Sequence, residues 1–216
     1  MYKAYITKDQ FNSLKKDVKF INALRLSRIV NAIRASQSMV TKFINDKTSS
    51  GYRDKFEAIQ YYGAVLYESL KTFHRMKEQF NQLDEYKANS ADINYLCKEF
   101  ENKSSFTRTI LAKIRDKLVF HFDEDVFRKT ISDMDLPSDE LIIVEGDLGT
   151  NIDTNYSATT MLYFNYLISS VNKDISDKDK LVFIYENMDL LSVKICKIAE
   201  SIILGLLKEY ISIRAV

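Results

Sequence analysis

Residues 53–73 read RDKFEAIQYYGAVLYESLKTF, and apolar side chains recur there every three or four positions. This spacing matches one face of a helix with 3.6 residues per turn and predicts a long helix from about Arg53 to Leu83, packed on one side against a core. Gly63 lies in its middle, although glycine costs a helix interior about 1 kcal/mol relative to alanine. We therefore expect a neighbouring helix to approach closely at Gly63. The buried stripe comprises Phe56, Ile59, Tyr62, Leu66, Leu70 and Phe73.

Helical patterns with their own start signals cover most of the remaining chain. Thr7 and Gln10 have the spacing of a capping box, and the helix that they start runs to about Ile44, with a break or bend near residues 17–20. Ser176 is predicted to cap a last helix that runs from about Lys178 to the end. That helix is apolar on more than one face, as in a helix at the centre of a bundle or at a subunit interface. The other predicted helices cover about 93–100, from Ser104 or Ser105 towards His121, 124–132 and 156–172.

One irregular, acidic segment separates these helices, at about residues 133–155. It contains the only proline, two of the five glycines and no lysine or arginine. Leu141 to Val144 is the one strand candidate, and we interpret the segment as a lid or tether packed on the helices. Because glycine and proline are rare elsewhere, the chain is predicted to be one all-α domain over residues 1–216, a bundle of six to eight helices.

Composition narrows the classes of function. The net charge is only +1, so any contact with nucleic acid has to come from a local patch. Cys97 and Cys196 are far apart in sequence and form no paired motif, which favours reduced thiols. We find no apolar leader and no apolar run long enough to span a bilayer, and therefore expect a cytoplasmic protein without membrane contact. The sequence has no phosphate-binding glycine loop, dinucleotide fingerprint or zinc-protease motif, so neither a cofactor nor a metal is expected.

The segment that carries chemistry is residues 114–123, IRDKLVFHFD. It places Arg115, Asp116 and His121 in otherwise apolar surroundings. An arginine binds phosphate oxygens at any working pH, and a histidine transfers protons near neutrality. RNA can be cut without a metal ion when its own 2′-hydroxyl attacks phosphorus, given a base, an acid and positive charge near the phosphorane. The segment therefore predicts ribonuclease chemistry, with Asp116 orienting Arg115 or His121.

Helix geometry limits how Arg115 and His121 can meet. Residues six apart on an ideal helix differ by about 120° around the axis and about 9 Å along it. The two side chains converge only if the helix ends or bends between them, or if two copies of the segment pair across a two-fold axis. The second solution predicts a homodimer with a composite site.

Arg115-Asp116, four further residues and His121 resemble the Arg-polar-x4-His motif of HEPN domains, a family of α-helical bundles. The resemblance implies a metal-independent endoribonuclease of the kind found in toxin–antitoxin, phage-defence and RNA-processing systems, with RNA as substrate and a homodimeric cleft. It implies catalytic roles for Arg115, Asp116 and His121, with Asp116 where the family usually has asparagine. The HEPN-like part would span about residues 8–135, with the helices of about 156–216 packed on it. An antitoxin or another regulatory protein is an expected partner.

Alternatives stay open at the level of sequence. Arg115 and Asp116 can instead form an exposed ion pair, with His121 at a helix end interacting with the helix carbonyls. The chain would then be a non-catalytic helical interaction module, or a module that binds nucleotides or RNA without cleaving them.

Four further residues are candidates for supporting roles. Arg25 and Arg28 are close on one helical face and could bind an RNA backbone, although a solvated face is the more common explanation. His74 is expected to be a half-exposed helix residue. The resemblance to HEPN bundles implies that Glu68, on the same helix as His74, could offer a polar group to the cleft.

Overall fold

The computed structural model describes residues 2–43, 49–119, 157–171, 174–208 and 212–215. Within these ranges the chain is the predicted all-α bundle. Three long helices form its centre: α2 (Val18–Phe43), α3 (Ser49–Met76) and α7 (Asp177–Leu207). The shorter α-helices are α1 (Lys8–Leu14), α4 (Asp84–Ala88), α5 (Ser90–Glu101) and α6 (Ser157–Ser169).

The core lies where α2 packs along both α3 and α7. One face of α7 is buried there, with Ile195, Ile198 and Ile202 inaccessible to solvent. Polar contacts also join α2 and α7, since Arg34 pairs with Glu200 and Gln37 Nε2 donates to Asp189 Oδ1 at 2.8 Å. The helix α7 is thus central to the bundle, and its Leu190, Val193 and Leu204 side chains are exposed.

The two predicted capping residues, Thr7 and Ser176, are confirmed. Thr7 and Gln10 form a capping box, in which the Gln10 amide N–H donates to Thr7 Oγ1 at 3.1 Å and the Thr7 amide N–H donates to Gln10 Oε1 at 2.7 Å. Ser176 caps α7, since its Oγ accepts from the Asp179 amide at 3.2 Å. The predicted break in the first helix falls between Leu14 and Val18, slightly earlier than expected.

The predicted extent of the second long helix is wrong at both ends. The helix α3 begins at Ser49 and ends at Met76, where a 3₁₀ turn, Lys77–Gln79, replaces the expected continuation to Leu83. The turn redirects the chain so that Phe80 is buried, and α4 then packs on α5 and α7. Tertiary packing has outweighed the helical propensity of residues 77–83.

The prediction that the last helix runs to the end is also wrong. The helix α7 ends at Leu207, and two strands, β1 (Tyr2–Tyr5) and β2 (Ser212–Ala215), form an antiparallel ribbon. Tyr2 pairs with Ala215, and Tyr5 pairs with Ser212. The sequence does not reveal this ribbon because each strand is only four residues long and its partner lies at the other end of the chain.

The helix predicted to start at Ser104 or Ser105 is present, but its hydrogen bonding is not α-helical. Ser105 Oγ accepts from the Arg108 amide at 3.2 Å, and two π-helical segments follow, π1 (Thr107–Leu111) and π2 (Ile114–Val119). In a π-helix each N–H bonds five residues back instead of four, and such distortions are frequent at functional sites. His121, the predicted helix at 124–132, the strand candidate and the acidic segment of about 133–155 all lie outside the described residues.

Candidate functional site

Gly63 sets the distance between α3 and the π-helical segments. A Cβ atom on Gly63 would lie 3.0 Å from Ile114 Cδ1 and 3.5 Å from Leu111 Cδ2. The close approach expected from the sequence is therefore confirmed, and its partners come from π1 and π2. Ile114 is fully buried and directly precedes Arg115. The contact thus fixes the backbone that carries the candidate phosphate-binding residue.

Arg115 lies between two carboxylates. Its Nε donates to Glu68 Oε1 at 2.8 Å, and its Nη1 donates to Asp116 Oδ1 at 2.5 Å. All three side chains are partly exposed, at 31% for Arg115, 40% for Glu68 and 46% for Asp116. The hydrogen bond with Asp116, together with the charge of Glu68, raises the pKa of the guanidinium. Arg115 is therefore a fixed cation that solvent, and hence a ligand, can reach.

Lys71 belongs to the same cluster, and sequence reasoning missed it. Its Nζ donates to Glu68 Oε1 at 3.5 Å, so one carboxylate oxygen is shared by Lys71 and Arg115. The signal was available, because residues three apart lie on one face of a helix, but Glu68 could not be assigned to the cleft without the structure. The Arg115 cluster, defined as Glu68, Lys71, Arg115 and Asp116, contains two positive and two negative charges.

Arg115 and Asp116, two predicted catalytic residues that are adjacent in sequence, form an ion pair. The ion pair is the one that the non-catalytic alternative also expects. His121 lies outside the described residues. The meeting of Arg115 with His121 therefore stays a prediction. Arg115 itself is in π2, which means that the helix is distorted at the motif and ideal α-helical spacing does not apply there.

The predicted substrate-binding arginines lie on α2. Arg25 Nη1 donates to Asn22 Oδ1 at 3.5 Å, and Asn22 in turn donates to Gln79 Oε1 at 2.5 Å. Arg25 and Arg28 are both exposed. The structure thus gives Arg25 a partner on its own helix, whereas it brings Arg115 together with residues of α3.

A second polar cluster lies further along α3 and also was not predicted. His74 Nε2 is 2.7 Å from Glu101 Oε1, and Lys77 Nζ donates to the same oxygen at 3.1 Å. Both hydrogen bonds lower the pKa of the Glu101 carboxyl, and the bond from His74 is the larger cause. Lys77 Nζ also lies 3.6 Å from Cys97 Sγ, and burial raises the pKa of that thiol.

An aromatic and cationic patch joins the two clusters. Arg108 of π1 donates through Nη1 to Tyr67 Oη at 3.1 Å and lies over the Phe100 ring, 5.5 Å from its centroid. The His74 and Phe100 ring centroids are 5.0 Å apart. Tyr67 and Glu68 are neighbours on α3, so Arg108 and Arg115 both contact this stretch of the helix.

The chain matches no protein-family model, and no curated protein or solved structure is significantly similar to it. Among the helices that the structure describes, none has the length and apolar character needed to cross a membrane. Within the same ranges, no three histidine, cysteine or acidic side chains are grouped so that they could hold a metal ion.

Proposed function

We propose that this protein is a HEPN-like, metal-independent endoribonuclease whose composite site forms between two copies of the chain. The observation that carries the proposal is the exposure and hydrogen bonding of Arg115. This side chain is a partly exposed guanidinium, bonded to Glu68 and Asp116, on a π-distorted helix. The all-α bundle agrees with the architecture that the motif implies.

The reaction would begin with attack of a 2′-oxygen on the adjacent phosphorus. One His121 accepts the hydroxyl proton, and the second copy's motif supplies the proton for the departing 5′-oxygen. Arg115 stabilises the negative charge that develops on the phosphorane oxygens. The products are a 2′,3′-cyclic phosphate and a 5′-hydroxyl end, and no metal ion enters the balance.

Asp116 supports this role of Arg115 by position, since its Oδ1 accepts from Arg115 Nη1. A long, flexible guanidinium loses conformational freedom when it binds a ligand, and a carboxylate that already holds it reduces that loss. The proposal also includes RNA as substrate, a cytoplasmic setting and control by an antitoxin or a comparable regulator, all of which follow from the resemblance to toxin and phage-defence HEPN domains.

The test is RNA cleavage by the full chain in the presence of EDTA. Arg115→Ala should reduce the rate by about 10²–10³-fold, as expected for loss of an electrostatic stabiliser. His121→Ala should reduce it by about 10²–10⁴-fold, as expected for loss of a proton-transfer group. Arg75→Ala is the matched control, because Arg75 is an exposed arginine of α3 outside the Arg115 cluster, and it should leave the rate unchanged.

Three results would contradict the proposal. Equal cleavage by wild type and by Arg115→Ala would remove the role of Arg115. Loss of wild-type cleavage in EDTA would remove the metal-independent mechanism. RNA binding that depends on Arg115 without any cleavage would instead favour the RNA-binding module. Circular dichroism of each variant establishes that the helices are retained.

A further inference from the structure

We propose that Lys71 is a second phosphate-contacting residue and that Glu68 competes with RNA for the two cations, Lys71 and Arg115. The inference rests on the proposed function, because it takes the ligand to be a single-stranded RNA backbone. It adds to that function both a residue outside the motif and a device that limits RNA binding.

The geometry around Glu68 Oε1 carries this inference. That oxygen accepts from Arg115 Nε at 2.8 Å and from Lys71 Nζ at 3.5 Å. An anionic oxygen bound jointly by an arginine and a lysine has the surroundings that suit a non-bridging phosphate oxygen. Glu68 therefore occupies the position at which an RNA phosphate would be bound by both cations.

The charges explain why Glu68 has to give way. The charges of the four side chains in the Arg115 cluster cancel, so these four by themselves offer no net attraction to a phosphate while Glu68 stays in place. An exposed ion pair such as Lys71 with Glu68 contributes about 1 kcal/mol or less, and the Glu68 side chain is 40% exposed. When Glu68 rotates into solvent it gives up its bonds to Lys71 and to Arg115 Nε. The phosphate oxygen that replaces it receives both bonds, and Lys71, Arg115 and Asp116 together then present one excess positive charge.

Lys71 is suited to this role by its location. Its side chain is 26% exposed, so a ligand at the surface can reach part of it. It projects from α3, whereas Arg115 projects from π2. Two cations from separate helices that share one carboxylate oxygen can also share one oxygen of a backbone phosphate.

A matched control pair exists on α4. Lys87 lies three residues after Asp84 and pairs with it at 3.8 Å, which repeats the spacing of Glu68 and Lys71. The helix α4 packs on α5 and α7. Lys87→Met and Asp84→Asn therefore make the same changes of charge and of local helix pairing as Lys71→Met and Glu68→Gln, but at a different surface.

The experiment measures binding of a fluorescent, fully 2′-O-methylated single-stranded RNA of mixed sequence, which binds but cannot be cleaved. Fluorescence anisotropy gives the affinity from about 50 to about 200 mM KCl. Lys71→Met should weaken binding about fivefold, which corresponds to one exposed ion pair. It should also reduce the slope of log affinity against log salt by about 0.7, the value for one phosphate contact on a single strand.

Glu68→Gln distinguishes a competitor from a residue that only positions Arg115. Glutamine keeps an Oε1 acceptor for Arg115 and Lys71 but loses the charge. If Glu68 competes with RNA, this variant binds about fivefold more tightly than the wild type. An unchanged or lower affinity would overturn the competition.

The remaining comparisons separate this inference from the proposed function. Equal effects of Lys71→Met and Lys87→Met would overturn the role of Lys71. If Arg115→Ala nevertheless lowers affinity and cleavage, the proposed function stands and only the inference falls. If neither Arg115→Ala nor Lys71→Met changes binding or cleavage, both fall. Circular dichroism and thermal unfolding show whether each variant keeps its fold.

Discussion

Replacing Gly63 by alanine tests whether the contact between α3 and the π-helical segments determines the position of Arg115. The new Cβ would lie 3.0 Å from Ile114 Cδ1 and 3.2 Å from Ile114 Cγ2. Both distances are shorter than the optimal carbon–carbon separation of about 3.5–4.0 Å. Either Ile114 or its helix therefore has to move by a few tenths of an ångström, roughly the shortfall from that optimum.

Two opposing effects decide the free energy of unfolding of this variant. Alanine stabilises a helix interior by about 1 kcal/mol relative to glycine, whereas an extra methyl group in a packed core costs about 1–3 kcal/mol. Ile114 is fully buried, and its Cγ2 is attached directly to Cβ, so it cannot swing away as the end of a flexible chain can. We therefore expect a net loss of about 1 kcal/mol, which lowers Tm by roughly 3 °C in a chain of this size.

A double-mutant cycle identifies the cause. Ile114→Val removes Cδ1, the nearest atom, at a cost of about 0.5–1.5 kcal/mol by itself. In urea unfolding followed by far-UV circular dichroism, the double variant should be destabilised less than the sum of the single variants by about 0.5 kcal/mol or more. Additive effects would refute the reasoning, as would stabilisation of Gly63→Ala by the full helix-propensity gain.

Gly205→Ala provides the comparison for this cycle. Gly205 is also inside a helix, α7, but a Cβ there would meet the carboxylate of Glu85, which is the movable end of a flexible side chain. We therefore expect most of the helix-propensity gain, up to about 1 kcal/mol, to be retained.

Ser176→Ala should lower the free energy of unfolding by about 1 kcal/mol, because Ser176 caps α7; a change within a few tenths in urea unfolding would contradict this. Hydrogen bonds from His74 and Lys77 lower the pKa of Glu101 below its ordinary value of 4.5, so its contribution to stability is full above about pH 4.5 and is lost as pH falls through the lowered pKa. The free energy of unfolding of Glu101→Gln should therefore differ from that of the wild type at neutral pH and converge with it in acid. A difference that stays constant with pH would contradict this role of Glu101. Lys77→Met should slow alkylation of Cys97 at neutral pH, because Lys77 opposes the burial that raises the thiol pKa; equal rates would show that Lys77 has no effect.

The sequence predicted the helices best where apolar periodicity and a capping residue agreed. Thr7 with Gln10, and Ser176, marked their helix starts correctly, because capping is a local interaction. The close approach at Gly63 was also predicted correctly, since a costly glycine inside a strong helical pattern implies a close neighbour. The short helix α4 and the ribbon of β1 and β2 were missed, because both depend on packing partners that are distant in sequence.

The candidate site was predicted only in part. Arg115 and Asp116 are sequence neighbours, so their interaction could be anticipated, whereas the approach of Glu68 and Lys71 depends on how π2 packs on α3. The π-helical hydrogen bonding was also not foreseen, because an apolar pattern over residues 106–119 looks much the same for four-residue and five-residue bonding. The meeting of Arg115 with His121 stays a prediction.

The ribbon of β1 and β2 has a consequence for the order of folding. Its partners are separated by about the whole chain, and closing a loop of that length costs about 5 kcal/mol in entropy. Four residue pairs cannot offset this by themselves, because an isolated two-stranded pairing is marginal in water. The ribbon therefore forms only after the bundle has brought both ends together, and protection of its amide protons would report that the helices have already assembled.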